Sequence, residues 1–136
     1  MTAEQMSAAD VYRAYISAER SRDTAAMTAL LTPGITIELN GRPVLESAAE
    51  DAAAATVLFD AYPDYRREII ELIEQGTVAA ARWRMVGHPH EGLRDRFGDL
   101  DIAGCSIVEV NDGRITRVHV WSTSGALEEV LALLDE

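Results

Sequence analysis

The second half of the chain contains four long segments of strand-like sequence, and this succession most limits what the chain can fold into. Each segment is rich in β-branched and aromatic residues. They span residues 65–74, 77–87, 100–110 and 114–123. Gln75-Gly76 and Asn111-Asp112-Gly113 supply tight turns, and residues 88–99 form a longer connection. We therefore expect an antiparallel meander of four strands.

Helical periodicity dominates the first thirty residues. Ser7 can cap a helix whose apolar positions recur every three or four residues. These positions are Val11, Ala14, Tyr15 and Ala18. Asp23 can cap a shorter helix that runs through Leu31, and Pro33-Gly34 ends it, because proline lacks a backbone donor and glycine permits a turn.

A short strand and a third helix complete the first half. Residues 35–39 alternate strictly between apolar and polar, so Ile35, Ile37 and Leu39 should share the buried face. Ser47 and Glu50 have the spacing of a capping box, and the alanine-rich segment to residue 59 has high helical propensity. A short C-terminal helix is expected at residues 127–134.

This order of elements predicts an α+β fold in which the N-terminal helices cover one face of a curved antiparallel sheet. Such a sheet wraps a conical cavity, the kind of apolar space that holds a small molecule. The chain has 136 residues, of which 48% are hydrophobic, enough for one core. No repeat or break in composition divides it, so we expect one domain over residues 1–136.

Charge and cysteine content exclude several classes of function. Twelve arginines and 23 acidic residues give a net charge of −11, which repels phosphate backbones and anionic lipid headgroups. Neither a nucleic acid nor a membrane is therefore an expected partner. The single cysteine excludes an internal disulfide, and no spacing of Cys and His resembles a zinc site. Because no secretory signal or apolar span is recognisable, we expect a cytoplasmic protein.

Several short elements along the chain together carry a family resemblance. They are Tyr15-Ile16 with Asp23 eight residues after the tyrosine, Tyr62-Pro63-Asp64, and residues 81–86, 111–116 and 118–121. In this order they resemble the ketosteroid-isomerase and SnoaL-like polyketide cyclase group of the nuclear-transport-factor-two superfamily, over nearly the whole chain. The resemblance implies a cystatin-like α+β barrel, no cofactor, and a hydrophobic substrate of polyketide, terpenoid or steroid type. One scaffold carries many activities in this superfamily, so the resemblance specifies fold more than function.

The resemblance also implies roles for individual residues. Tyr15 matches the tyrosine that donates a hydrogen bond to the developing oxyanion in ketosteroid isomerases, where a phenol stabilises an enolate without ionising. Leu39 stands at the position of their general base, and Cys105 at that of their second oxyanion donor. Asp101 shares a strand face with Cys105, since strand side chains alternate. We therefore expect Asp101 to supply a catalytic carboxyl to the cavity.

Three histidines are further acid/base candidates. His88 and His90 flank Pro89 in a loop expected at the edge of the sheet. Two histidines at this spacing suggest a metal, but no third ligand is evident, so we predict none. Either imidazole could still transfer protons near neutral pH if the loop folds over the cavity mouth. His119, on the last strand, is the third candidate.

Strand periodicity predicts which side chains contact a ligand and which face outward. The expected ligand-binding residues are Leu39, Phe59, Trp83, Met85, Ala103, Cys105, Val118 and Val120. The opposite parity places Arg82, Arg84, His119 and Trp121 on the convex face. An exposed tryptophan beside arginines is typical of the centre of an interface, so we expect a homodimer through this face in preference to a catalytic His119.

Three functions remain open from the sequence. The favoured one is a cofactor-independent enzyme that isomerises or cyclises a hydrophobic molecule by orienting it, with Tyr15 and Asp101 assisting. The second is a non-catalytic ligand-binding or dimeric interaction domain. The third is a hydrolase, such as an epoxide hydrolase, in which His88 or His90 activates water.

Overall fold

The protein is described here from a computed structural model, which describes residues 6–122, 129 and 131–135. Within residues 6–122 the helices are α1 (Ala8–Arg20), α2 (Thr24–Ala29) and α3 (Ala48–Ala61). Its strands are β1 (Ile37–Leu39), β2 (Arg42–Leu45), β3 (Arg66–Gln75), β4 (Val78–Gly87), β5 (Leu100–Asn111) and β6 (Arg114–Ser122). Short 3-10 turns occur at Glu91–Leu93 and Ala132–Asp135. Of the predicted C-terminal helix at residues 127–134, positions 127, 128 and 130 lie outside the described residues, while Glu129 and Leu131 are helical and the 3-10 turn follows them.

The N-terminal helices begin at the predicted caps. The Ser7 hydroxyl accepts a hydrogen bond from the Asp10 amide at 3.1 Å, and the Asp10 carboxylate accepts one from the Ser7 amide, which completes a capping box. Asp23 caps α2 through the Ala26 amide at 3.0 Å. This helix ends before Leu31, earlier than expected, because Leu31 instead forms a parallel bridge with Ile115 at the end of the sheet.

The third helix also begins at its predicted cap. The Ser47 hydroxyl accepts from the Glu50 amide at 3.0 Å, while the Glu50 carboxylate accepts from the amide of Glu46 rather than from that of Ser47. The helix continues to Ala61, two residues beyond the predicted end. It stops at Tyr62, whose backbone, with φ of −129° and ψ of 84°, has left the helical region that the following proline disfavours.

The predicted meander forms the larger part of one six-stranded sheet. Its order is β2-β1-β6-β5-β4-β3, and the sheet is curved but unclosed. Strand β2 was not predicted, and β1 pairs antiparallel with β2 but parallel with β6. Between β5 and β6, Asp112 and Gly113 both have positive φ, of 54° and 76°, as a tight primed turn requires. The α+β class is thus confirmed, with β2 as a strand added to the predicted order.

The helices cover the concave face of this sheet, where the main core lies. Ile35, Ile37 and Leu39 are buried as predicted. Along β4 the side chains alternate, so Trp83 and Met85 are buried while Arg82 and Arg84 are exposed. Among the described residues, no helix is long and apolar enough to cross a membrane. The curvature and the helical cover together enclose the space described next.

Candidate functional site

A cavity of about 120 Å³ lies between α1, α3 and the concave face of the sheet. Most of its wall is aliphatic. The apolar lining residues are Leu31, Ile37, Leu39, Leu45, Ala54, Ala55, Leu58, Met85, Val108, Ile115, Val118, Val120 and Leu131. Six lining residues carry polar groups: Tyr12, Tyr15, Glu19, Asp51, Arg67 and Ser106. An apolar wall with a few polar groups is the usual composition of a small-molecule site.

Tyr15 and Asp51 form a short hydrogen bond in this cavity. The Tyr15 hydroxyl, on α1, donates to Asp51 Oδ2, on α3, at 2.6 Å. Both side chains are half-buried. The bond joins the two helices that form the roof of the cavity, and among the described residues it leaves Asp51 Oδ1 without a hydrogen-bond partner. A carboxylate oxygen is therefore available to a ligand.

The surroundings of this pair change its acid–base properties. Burial raises the pKa of Asp51 above its ordinary value, against the opposing effect of the Tyr15 hydrogen bond, and Glu19 raises it further. Burial, and then the charge of Asp51, raise the pKa of Tyr15 well above its ordinary value. Tyr15 is thus a neutral donor at neutral pH. Asp51 is a stronger base than a solvated aspartate, as proton abstraction requires.

A second polar cluster, Glu19-Tyr65-Arg67, adjoins the cavity. Tyr65 donates to Glu19 Oε1 at 3.1 Å, and Arg67 Nε donates to the Tyr65 hydroxyl at 3.2 Å and lies 3.6 Å from Glu19 Oε1. Burial is the largest single influence on the pKa of Arg67 and lowers it, but the combined electrostatic effects of Glu19, Tyr65, Tyr12 and Tyr15 outweigh burial and raise that pKa well above its ordinary value. This is a buried ion pair whose charges balance.

Half of the predicted ligand-binding residues line this cavity. Leu39, Met85, Val118 and Val120 are all in its wall. Contact of these four side chains with a ligand remains a prediction.

The expectation that Asp101, Ala103 and Cys105 face the cavity is wrong. On β5 the buried positions are the even-numbered ones, such as Ile102 and Ser106, so the odd-numbered side chains lie on the convex face. Asp101 is exposed and forms a two-point ion pair with Arg84, at 2.7 and 2.8 Å. The hydrogen bond from Arg84 lowers the pKa of Asp101, the opposite of what an acid in the cavity would need.

Phe59 and Trp83 also differ from expectation. Phe59 packs with Ala18, Met27 and Ala55 in a separate cluster between the helices, and the Arg22 guanidinium lies 4.4 Å from its ring centroid. Trp83 is buried behind the wall, where its indole N–H donates to Ser106 Oγ at 2.9 Å. Neither Phe59 nor Trp83 is among the residues that line the cavity, so both pack outside its wall.

The three histidines lie away from the cavity wall. His88 Nδ1 is 2.6 Å from Asp64 Oδ2, and this hydrogen bond raises the pKa of the exposed His88. His90 accepts from the Gly92 amide at 2.9 Å and caps a 3-10 turn. His119 is on the convex face, 3.3 Å from Glu38 Oε2. Among the described residues, no group of three His, Cys, Asp or Glu side chains could hold a metal ion.

Comparison with known families agrees with this architecture. The family profile described as a SnoaL-like domain matches residues 12–118. The chain belongs to the SnoaL-like family. The matched region extends from the start of the cavity wall on α1 to β6, so this SnoaL-like domain includes both Tyr15 and Asp51.

Solved structures resemble the SnoaL-like domain over most of its length. A provisionally assigned polyketide cyclase from Xanthomonas campestris is 27% identical, with 98% of this chain and 99% of that chain covered and a TM-score of 0.69. A cystatin-fold protein from Novosphingobium aromaticivorans is 18% identical, with 85% and 97% covered and a TM-score of 0.75. A provisionally assigned ketosteroid isomerase from Kribbella flavida is 19% identical, with 86% and 78% covered and a TM-score of 0.66. No curated protein matches the chain.

Sequence reasoning missed the three charged residues of this SnoaL-like site, although a signal for Asp51 was present. Asp51 precedes Ala54, Ala55 and Leu58 by three, four and seven residues, so it shares their buried helix face. Asp51 also lies in the first turn of its helix, where an acidic side chain is expected simply because it interacts favourably with the helix dipole. The sequence alone therefore does not distinguish this role from a place in the cavity wall. Glu19 similarly follows Tyr12 and Tyr15 at helical spacing, and its place in a polar stretch concealed that it is buried.

Proposed function

We propose that this SnoaL-like domain is a cofactor-independent enzyme that isomerises or cyclises a small hydrophobic carbonyl compound, with Asp51 as the general base. The observation that carries the proposal is the Asp51 carboxylate itself. It is hydrogen-bonded to Tyr15 at 2.6 Å, its pKa is raised by burial, and it lies in an apolar cavity. The provisional assignments of the Xanthomonas and Kribbella proteins as cyclase and isomerase support the same reaction class.

In the proposed reaction, Asp51 Oδ1 removes a proton from the carbon next to the carbonyl group. The C–H electron pair forms the enolate, and the carboxylic acid so formed returns the proton to another carbon. In a cyclisation, the enolate carbon instead attacks a second carbonyl carbon of the same molecule. The π electron pair of that carbonyl moves to its oxygen, which takes the proton from the Asp51 carboxylic acid. Tyr15 holds Asp51 in position while the carboxylate is charged. The oxyanion role that the resemblance implies for Tyr15 would require its hydroxyl to turn from Asp51 to the enolate once the negative charge has moved.

The size of the cavity limits the substrate. A cavity of about 120 Å³ is similar to the apolar cavities of roughly 150 Å³ that bind benzene. In this conformation it therefore accommodates a single ring, a smaller ligand than the polyketide, terpenoid or steroid molecules that the family resemblance implies. A suitable test substrate is 3-cyclohexenone, whose isomerisation to 2-cyclohexenone is followed by the absorbance of the conjugated product. Acceleration by the full chain supports the proposal, and no acceleration favours the non-catalytic binding domain.

Replacing Tyr15 with phenylalanine should lower turnover of 3-cyclohexenone by about tenfold or more while the fold remains intact. The Tyr15 hydrogen bond lowers the pKa of Asp51, so its loss should raise that pKa further. Since the ionised carboxylate is the active form, the rate rises with pH, and the acid limb of the profile should move to higher pH in the variant. A pH–rate profile measures both effects. Unchanged turnover and an unmoved limb would remove Tyr15 from the mechanism.

The predicted homodimer has its own test. The convex face of the sheet exposes Ile70, Ile107 and Trp121, each more than 40% accessible. We expect the Trp121→Glu substitution to convert the dimer to a monomer, as measured by size-exclusion chromatography with light scattering, because it places a charge at the centre of this face. Val44→Glu, which alters an exposed apolar residue of β2, is the matched control. A monomeric unsubstituted chain would contradict the prediction.

A further inference from the structure

Tyr12 carries a polar group that the proposed reaction does not use. Its side chain forms part of the cavity wall, one helical turn before Tyr15 on the same face of α1. The residue is only 3% exposed, and its hydroxyl has no hydrogen-bond partner among the described residues. A buried hydroxyl without a partner is costly and uncommon, so its presence beside a cavity indicates that a ligand supplies the partner.

Arg67 presents further donors in the same wall. Of the five N–H groups of a guanidinium, the described residues engage Nε, through Tyr65, and one on Nη2, through the Met85 sulfur at 3.6 Å. Nη1 has no described partner. Tyr12 is among the groups that influence the pKa of Arg67, after burial, Glu19 and Tyr65, which places its hydroxyl within electrostatic range of the guanidinium.

The charges around these donors select the kind of ligand atom. The positive charge of Arg67 is already balanced by Glu19, whose carboxylate is 3.6 Å away. Asp51, when ionised, adds a negative charge to the same cavity. A negatively charged ligand group would thus meet two carboxylates and one guanidinium. An uncharged oxygen can accept the free hydrogen bonds without that repulsion.

We infer that Tyr12 and Arg67 form the oxygen-binding point of the cavity, where the hydroxyl and the guanidinium donate to one uncharged carbonyl oxygen of the ligand. The inference deepens the proposed function and rests on it for the location of the ligand. It makes Tyr12 and Arg67 the donors to the substrate carbonyl, while Tyr15 remains bound to the base, Asp51. Specificity then follows from the oxygen, because an analogue that lacks it leaves both donors buried and unpaired.

Three probes of one-ring size test this inference by calorimetric titration of the full chain. Cyclohexanone carries the oxygen, methylenecyclohexane replaces it with a CH₂ group of similar shape, and cyclohexanecarboxylate carries a negative charge. We expect cyclohexanone to bind about tenfold more tightly than methylenecyclohexane, and cyclohexanecarboxylate to bind more weakly than cyclohexanone. Equal binding of the first two probes, no binding of cyclohexanone, or tighter binding of the carboxylate would overturn the inference.

The Tyr12→Phe variant identifies the donor. It should bind cyclohexanone about tenfold more weakly and methylenecyclohexane as tightly as the unsubstituted chain does. The matched control is Tyr62→Phe, which removes a buried hydroxyl whose partner is Gly98 O at 3.4 Å, outside the cavity wall, and should leave both affinities unchanged. An unaltered affinity of Tyr12→Phe for cyclohexanone would overturn the inference. Should this variant not fold, the comparison of probes on the unsubstituted chain still decides.

These titrations can fail independently of the proposed reaction, since binding of cyclohexanone needs no proton transfer. Selective binding without isomerisation of 3-cyclohexenone would remove the proposed function and leave the oxygen-binding point. Isomerisation that is unaffected by Tyr12→Phe, together with unselective binding, would remove the oxygen-binding point and leave Asp51 as the base.

Discussion

Replacing Asp51 with asparagine should lower the rate of isomerisation of 3-cyclohexenone by about 100-fold or more, the usual contribution of a general base. Asparagine is similar in shape and can still accept a hydrogen bond from Tyr15, but it cannot take up a proton from carbon. In the proposed mechanism burial makes Asp51 a stronger base than a solvated aspartate, because it raises the pKa of the carboxyl. Initial rates at saturating substrate, on protein with unchanged circular dichroism, give the measurement.

The matched control for Asp51→Asn is Asp60→Asn, which removes an exposed carboxylate from the same helix. It should leave the rate unchanged. If both variants retain full activity, Asp51 is not the base, and the acid/base group must be sought elsewhere. If both lose activity equally, the effect belongs to the stability of α3 and not to proton transfer.

Replacing Glu19 with glutamine should lower the free energy of unfolding by about 3–5 kcal/mol, the cost of leaving one member of a buried ion pair without its partner. Glu19 is 5% exposed and is the acceptor for Tyr65 as well as the counter-charge of Arg67. Glutamine keeps an acceptor for Tyr65 but leaves the guanidinium uncompensated. Urea unfolding of the two chains measures the difference.

Two further variants separate charge from packing in this experiment. The double variant Glu19→Gln with Arg67→Met removes both charges and should recover much of the loss. Asp101→Asn breaks the solvent-exposed pair with Arg84 and should have little effect on unfolding, since water screens exposed pairs. If Glu19→Gln lowers the free energy of unfolding no more than Asp101→Asn does, the buried ion pair stabilises the protein no more than the exposed one.

Much of the fold could be predicted because the deciding signals are local. Ser7, Asp23 and Ser47 cap the three helices as expected, and the turn at Asp112-Gly113 has the geometry that its sequence indicates. Strand β2 was missed because Arg42–Leu45 is short and mostly exposed, with a proline inside it. The parallel pairing of β1 with β6 joins segments about eighty residues apart, and local pattern carries no information about such pairing.

The site was harder to predict than the fold, because assigning side chains to the cavity requires knowing which face of each strand lies on the concave side of the sheet. On β5 the resemblance placed Cys105 in the cavity. Asp101 was assigned to the same face because side chains alternate along a strand. The buried residues Ile102 and Ser106 show the opposite phase. The residues that supply the polar groups instead come from four elements, α1, α3, β3 and β5. Their convergence depends on how helices cross the sheet, which a single sequence does not specify.

The alanines of α3 have a consequence for how ligand preference could diverge among relatives. Ala54 and Ala55 stand beside Asp51 in the cavity wall, so the room available to a ligand is set partly by two of the smallest side chains. A valine or leucine at either position would shrink the chamber one methyl group at a time, while a change elsewhere in the aliphatic wall could enlarge it. Substrate size can therefore drift during evolution while the chemistry of the tyrosine–aspartate pair is inherited unaltered.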